Sequence, residues 1–458
     1  MMIRRFVIAL GLLWSAHAIG AEVSFQHDVW PIFKRHCIGC HSELKKKGGL
    51  RLDEVAALIK GGKNGPLFVA GKPDDSLLID EVTGDEPEMP QNDAPLSRAK
   101  VKVLTEWIAQ GAKIDGPPKS EVPPVVIPQF YTAAPAVASV TISQDGKLAA
   151  AACRSEVAIF NVDDDTAPRR VPTDFDLINH VELSPDGKRL AVAGGSPQQF
   201  GGIIFLDPAD GKREFERRIG TDTLFKGNFA PDGQTIAIGG PTGAIYLIPV
   251  TDEKAPVKSI ELHSDWVTAV AYTPDGKELV SGSRDKTTKI SSAEKLTLLR
   301  SVDESKEMIN AVAADSLTAI SGGNARDLLG FDFKQALVGM QVTGSGNGAQ
   351  PVNNRNQYLR TFEAQPEAVM AMATSGDRKL LAVATRASEV RVYSTENRQR
   401  KFTIPNVPAP ILSVALNQDG SRLIVGCKSG VVQVWDTSAA KLIKSLTPVP
   451  VQPAVAEK

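Results

Sequence analysis

The chain has 458 residues, with 52 basic and 53 acidic side chains and a formal net charge of −1. That balance leaves no electrostatic footprint for nucleic acid or an anionic membrane surface as a partner. The length implies two or more domains, and four cysteines are too few for a chain held together mainly by disulfides.

The first stretch, "MMIRRFVIALGLLWSAHA", has a basic start at Arg4 and Arg5, an apolar run from Phe6 to Trp14, and small residues at Ala16 and Ala18. Those three regions in that order are expected of a secretory signal peptide, here residues 1–21, cut after Ala18 or Ala21. The apolar run is short for a bilayer span, and no later stretch is long and apolar enough for a transmembrane segment. The expected location is the periplasm.

Residues 22–115 read as a small all-α domain. In "FQHDVWPIFKRHC" a short apolar helix with Pro31 near its start leads into "RHCIGCHSE", which holds Cys37, Cys40 and His41. Cys-x-x-Cys-His in an exported chain has three chemistries to choose among. A structural zinc site needs four ligands, and no second Cys/His pair follows at zinc spacing. A thioredoxin-like redox motif expects a βαβ setting and gives the histidine no role. Covalent haem attachment remains: the Cys37 and Cys40 thiols join the haem vinyl groups as thioethers, and His41 is the proximal iron ligand. The run Lys45, Lys46, Lys47 reads first as a solvated loop and second as a docking patch for an acidic redox partner.

For the distal position the domain offers one methionine after the signal, Met89 in "EPEMPQNDAPLS". It lies far enough beyond His41 to wrap to the other haem face, and a thioether would raise the reduction potential. His27 is the second candidate, and a five-coordinate iron with Met89 merely packing nearby is the third reading; His36 is too close to Cys37 to cross the ring. At the domain's end "LSRAKVKVLTEWIAQGA" places Val101, Leu104, Trp107 and Ile108 on one helical stripe, with Ser97 as N-cap and Gly111 as stop. Trp30 and Trp107 are expected to cover the porphyrin.

With those residues in view, the domain resembles the Planctomycete-type cytochrome c domain. The matching stretches run in order: "VWPIFKRHCIGCH", "GGLRLD" (48–53), "VAGKPDDSLLIDEV" (69–82), "MPQ" (89–91) and "LTEWIAQGAKID" (104–115). The resemblance implies one covalent haem c and electron transfer, with the distal ligand drawn from the Met-Pro-Pro segment, where this chain has Met89-Pro90-Gln91.

Residues 116–128, "GPPKSEVPPVVIP", form a proline-rich linker. Beyond it, residues 129–448 repeat a tight turn: "SQDGK" at Asp145, "SPDGK" at Asp186, "APDGQ" at Asp232, "TPDGK" at Asp275 and "NQDGS" at Asp419, with weaker copies at Asp315 and Asp377. Successive aspartates are 41, 46, 43, 40, 62 and 42 residues apart. A period near 42 with several alternating apolar runs per unit predicts a seven-bladed β-propeller. The units resemble WD repeats: "VVQVWDT" keeps Trp435-Asp436, and His263 stands where that family has its Gly-His pair, with Asp285 as the expected partner. The long unit after Asp315 is expected to carry "KQALVGMQVTGSGNGAQPVNNRN" as an insertion between its third and fourth strands. Closure is open between an added strand from "VVIPQFYT" and "KLIKSLT" alone, and 449–458 is expected to be a flexible tail.

The functional expectation is therefore a periplasmic c-type cytochrome that transfers single electrons to a partner protein, its WD-like propeller acting as a docking platform rather than as a stand-alone enzyme. Two alternatives stand beside it: an oxidoreductase whose propeller carries substrate or a second cofactor, and a haem-based sensor. No catalytic residue is assigned, because His180 and His263 alone do not make a propeller site.

Overall fold

The structure, a computed structural model, describes residues 22–43, 45–91, 94–116, 127–303, 305–333 and 359–452. The expected signal peptide and most of the expected proline-rich linker lie outside the described residues. The chain divides into two compact units near residue 120.

In the N-terminal unit a π-helical turn at Phe25–Val29 runs into α1 (Trp30–His36), with Pro31 in its first turn. α2 (Val55–Lys60) and α3 (Leu77–Val82) are one and a half turns each, and α4 (Arg98–Ala109) closes the unit. Ser97 takes the extended N-cap conformation of α4, and Gly111 leaves the helix at φ +99°. An aromatic cluster sits within a largely aliphatic core: Trp107 is fully buried, with Phe25, Phe33 and Phe68 at ring-centroid distances of 5.4, 6.3 and 4.9 Å. Its indole N–H donates to the Lys113 carbonyl at 2.8 Å, so the buried polar atom is satisfied.

The second unit is a seven-bladed propeller of seven four-stranded antiparallel sheets, 28 strands among the described residues. In the first blade β1 (Val137–Ile142), β2 (Leu148–Cys153), β3 (Glu156–Asn161) and β4 (Arg169–Pro172) follow one another from the inside out, and the other blades repeat that order. The repeated turn joins the first two strands of each blade. In the first, Asp145 Oδ1 accepts from Ser143 Oγ at 2.5 Å and Lys147 N at 3.1 Å, while Gly146 takes φ +74°. Neighbouring blades pack through buried Val, Ile, Leu and Ala. They are also stitched by polar residues of the innermost strands: Val181 N donates to Ser139 Oγ, Leu183 N to Thr141 Oγ1 and Tyr272 N to Asn228 Oδ1 at 3.0–3.1 Å. A polar residue on a buried inner strand thus satisfies the backbone of the blade beside it.

The ring closes without a shared strand. The last blade supplies its own outer strand, β28 (Lys441–Leu446), so "KLIKSLT" completes it alone. Its inner strand meets β1 through Val140 N to Ser413 Oγ at 3.0 Å, and Arg422 reaches Asp163 at 2.6 Å. "VVIPQFYT" instead contributes a clasp, in which Tyr131 N donates to Pro450 O and Gln452 N to Tyr131 O at 2.9 and 2.8 Å. Residues 449–452 therefore pack on the propeller where a flexible tail was expected, with Val449 2% exposed in the core between the first and last blades; 453–458 lie outside the described residues. The whole of the expected insertion also lies outside them, between β19 (Leu328–Asp332) and β20 (Leu359–Thr361), which pair as third and fourth strands.

His263 is a structural group, as its position in the repeat implied. Its Nδ1 lies 3.0 Å from Asp285 Oδ2 and 3.1 Å from Thr287 Oγ1, and its Nε2 2.8 Å from Ser281 Oγ. Burial alone would raise the Asp285 pKa, but hydrogen bonds from Thr287 and Ser264 and the His263 ring outweigh it and hold it at about 2. Burial lowers the His263 pKa despite the carboxylate. Both shifts act in one direction. A depressed carboxylate contributes stability above its unfolded pKa and loses it as pH falls through the folded value, and a depressed histidine does the same from about 6.5 downward. Asp285 alone is worth about 2 kcal/mol at neutral pH, fading between about pH 4 and pH 2. Asp285→Asn should lower the urea midpoint of the propeller at pH 7 and flatten its decline below pH 4; an unchanged acid limb would remove Asp285 from this role.

Candidate functional site

The chain after α1 winds on in tight turns. Cys37 N donates to Phe33 O, and the N–H groups of Cys40 and His41 both return to Cys37 O at 3.1 and 3.0 Å. Gly48 and Gly49, at φ +61° and +71°, then turn the chain so that Lys47 O meets His41 Nδ1 at 3.0 Å. A carbonyl can only accept, so Nδ1 carries the proton and Nε2 keeps its lone pair. Burial also lowers the His41 pKa, which favours the neutral ring. Behind the turn, Arg51 is fixed by Asp53 at 3.1 Å and by Glu43 and Glu54. Asp53 in turn accepts from Glu43 N at 2.9 Å.

The "VAGKPDDSLLIDEV" stretch builds the facing wall. Ser76 Oγ accepts from Val69 N at 2.9 Å and donates to Lys72 O at 2.7 Å, which positions the start of α3. Gly71 N donates to Ile108 O, joining this loop to α4. From α3 the Glu81 carbonyl accepts from Met89 N at 2.8 Å, so the helix holds the methionine loop in place.

These pieces enclose a cavity of about 430 Å³. Cys37, Cys40, His41 and Met89 all line it, with Leu50, Leu52, Leu67, Leu77, Leu78 and Val82 as apolar wall. The donor set suits a covalently held haem: two thiols for vinyl carbons, an imidazole with Nε2 unprotonated, and a thioether. Burial beside Cys40 pushes the Cys37 thiol up to about 12. Glu81 Oε2 is buried at the wall without a hydrogen-bond partner among the described residues, and burial with Glu88 and Asp80 nearby raises its pKa. The fit extends to the backbone: a Cβ on Gly62 would come 2.9 Å from Gly48 O, so this wall tolerates no side chain there.

Other expectations fall differently. His27 is exposed on the π-helical turn and does not line the cavity. His36 does line it, with Nε2 2.7 Å from Lys100 Nζ. Neither tryptophan covers the cavity: Trp107 belongs to the aromatic cluster, and the wall is aliphatic. α3 was missed, although Leu77, Leu78, Glu81 and Val82 share a helical face that the pattern "LLIDEV" displays. Of the lysine run, Lys46 pairs with Glu43 at 2.6 Å. Lys47 Nζ reaches Gln91 Oε1 at 3.3 Å, tying the haem-motif loop to the Met-Pro-Gln segment.

An α-helical unit carrying this cavity, followed by a seven-bladed propeller, defines a cytochrome c domain joined to a WD-type repeat protein. Comparison with known proteins agrees on both parts. Residues 37–93 match the Planctomycete cytochrome C family, residues 254–290 the WD domain, G-beta repeat, and residues 363–454 the Anaphase-promoting complex subunit 4 WD40 domain. Among curated proteins, the chain is 24% identical to the U3 small nucleolar RNA-associated protein 15 homolog of Xenopus tropicalis, over 46% of this chain and 46% of that protein. It is 26% identical to the WD repeat-containing protein VIP3 of Arabidopsis thaliana, over 42% and 60%. It is also 31% identical to an uncharacterized WD repeat-containing protein of Synechocystis, over 25% and 31%. The chain thus spans about half the length of the Xenopus relative it matches.

Proposed function

We propose that the protein is an exported c-type cytochrome of the periplasm, which carries single electrons on one covalent haem c and docks a partner protein on its propeller. The observation that carries this reading is the convergence of Cys37, Cys40, His41 and Met89 on one cavity inside the segment that matches a cytochrome c family. Haem iron supplies reversible one-electron chemistry when bound. Cys37 and Cys40 anchor the group to the chain. His41, its Nδ1 committed to Lys47 O, would offer Nε2 to the iron. Met89, held by the Glu81 carbonyl, would offer its thioether to the iron, and the leucines of α3 with Leu50 and Leu52 would keep water from the ring. The WD-type repeats support protein docking, and the N-terminal signal pattern supports export. No helix among the described residues is long and apolar enough to cross a membrane.

The test is expression of the whole chain in a bacterium able to assemble c-type cytochromes, followed by release of the periplasm and optical redox titration. A red protein in that fraction with a single one-electron wave is expected. Haem-loaded protein confined to the cytoplasm, or a second redox chromophore, would overturn the reading.

A further inference from the structure

Where the innermost strand of each blade turns into the second, all seven blades line a second cavity of about 450 Å³ at the end of the central channel. Its titratable side chains are His180, Glu182 and Arg378. Glu182 is fully engaged: Oε1 accepts from Asn228 Nδ2 at 2.7 Å, and Oε2 accepts from Phe229 N at 3.0 Å and lies 3.4 Å from His180 Nε2. Arg378 is not. One terminal nitrogen makes both of its hydrogen bonds, to Thr374 Oγ1 at 2.6 Å and Ala314 O at 3.3 Å, and it forms no ion pair among the described residues. Asp315 attracts it from the neighbouring blade but spends Oδ1 on the Leu317 and Thr318 N–H groups.

The turn that carries Arg378 makes this placement unusual. Five sibling turns put glycine at this position, Gly146, Gly187, Gly233, Gly276 and Gly420, all at φ between +69° and +74°. Arg378 stands there at φ +61°, in the left-handed region that disfavours a Cβ. A residue that breaks a rule kept by its siblings, and turns a guanidinium toward a cavity instead of solvent, marks a functional position. Arginine stays protonated throughout the physiological range. Burial lowers the Arg378 pKa and the nearby Glu182 and Asp315 oppose that, while its Nε and second terminal nitrogen make no hydrogen bond to the described residues, so the cavity presents spare N–H donors on a cation.

We propose that this cavity binds a small carboxylate or phosphate anion, which Arg378 meets with its remaining N–H groups. A planar fork of donors matches both kinds of oxyanion. The inference stands apart from the haem site and does not depend on it.

Thermal unfolding and equilibrium dialysis of the full chain test it, with succinate and inorganic phosphate as probes and sodium chloride at matched ionic strength as control. The expected result is a saturable rise in the melting temperature of the propeller with one or both probes, and none with chloride. Succinate alone would assign a carboxylate, phosphate alone a phosphate. Arg378→Gly installs the residue the sibling turns carry, so the fold is retained while affinity falls at least tenfold. An Arg378→Gly protein that binds as tightly as wild type, or a wild-type chain that answers neither probe, would overturn the proposal.

Discussion

Replacing Cys37 and Cys40 together by serine should leave the chain with no haem after denaturation. Serine hydroxyls do not form the thioether links, and the two other cysteines, Cys153 and Cys427, are buried in the propeller's core. The loss should spread into the N-terminal unit. Its cavity of about 430 Å³ is walled by leucines that also belong to the unit's single core, so leaving it without its group removes packing from those same side chains. The melting transition of that unit should fall or vanish while the propeller's persists, since blades are stabilised by stacking on one another. Haem still bound to denatured double variant, or collapse of both transitions together, would contradict the assignment of roles.

Met89→Ala should leave haem attached and change what lies on its distal side. A thioether is a soft ligand that favours ferrous iron, so its loss should lower the midpoint potential by on the order of 0.1 V, a fraction of the ~0.8 V that axial ligation spans. The ferric protein should lose the weak far-red band of sulfur ligation, and the reduced protein should gain the ability to bind carbon monoxide. His27→Ala provides the contrast. His27 lies exposed on the turn before α1 and outside the cavity, so its removal should leave spectrum and potential unchanged. The opposite pattern, with His27→Ala altering the spectrum and Met89→Ala silent, would make the centre a two-histidine haem of lower potential. Gln91→Pro offers a finer probe of the same loop, because it replaces the side chain that reaches Lys47.

The propeller was legible because its physics is local and repeated. Each Asp-Gly turn binds its own backbone, so the same few residues recur in five of the seven blades and the period can be counted. His263 and Asp285 were legible for the same reason. The site residues Cys37, Cys40 and His41 stand in one pentapeptide whose spacing is chemical rather than structural, which is why a sequence displays them. Met89 emerged by elimination, and what places it at the cavity is a bond from its N–H to Glu81 O that no pattern announces.

What stayed hidden depends on distant contacts. Trp107 sits on an amphipathic helix that the sequence marks clearly, but which object that face packs against is decided by Phe25, Phe33 and Phe68 together. α3 is six residues long, so the helical face in "LLIDEV" spans less than two turns and is easily passed over, yet its leucines wall the cavity. The clasp of Tyr131 with 450–452 joins the two ends of the propeller through backbone groups, which carry no residue-specific signal. Arg378 was readable only as a departure: "SGDRK" was a weak copy of the turn, and the same replacement that weakened the match carries the cation into the channel cavity.

The central claim is that Cys37 and Cys40 bind one haem covalently, and the mass of the purified wild-type chain, measured after full denaturation, tests it most directly. The account predicts a chain heavier by the mass of one haem, with the addition mapped to the peptide that contains residues 37–41. A chain at its bare polypeptide mass, recovered from cells that load other c-type cytochromes, would contradict it.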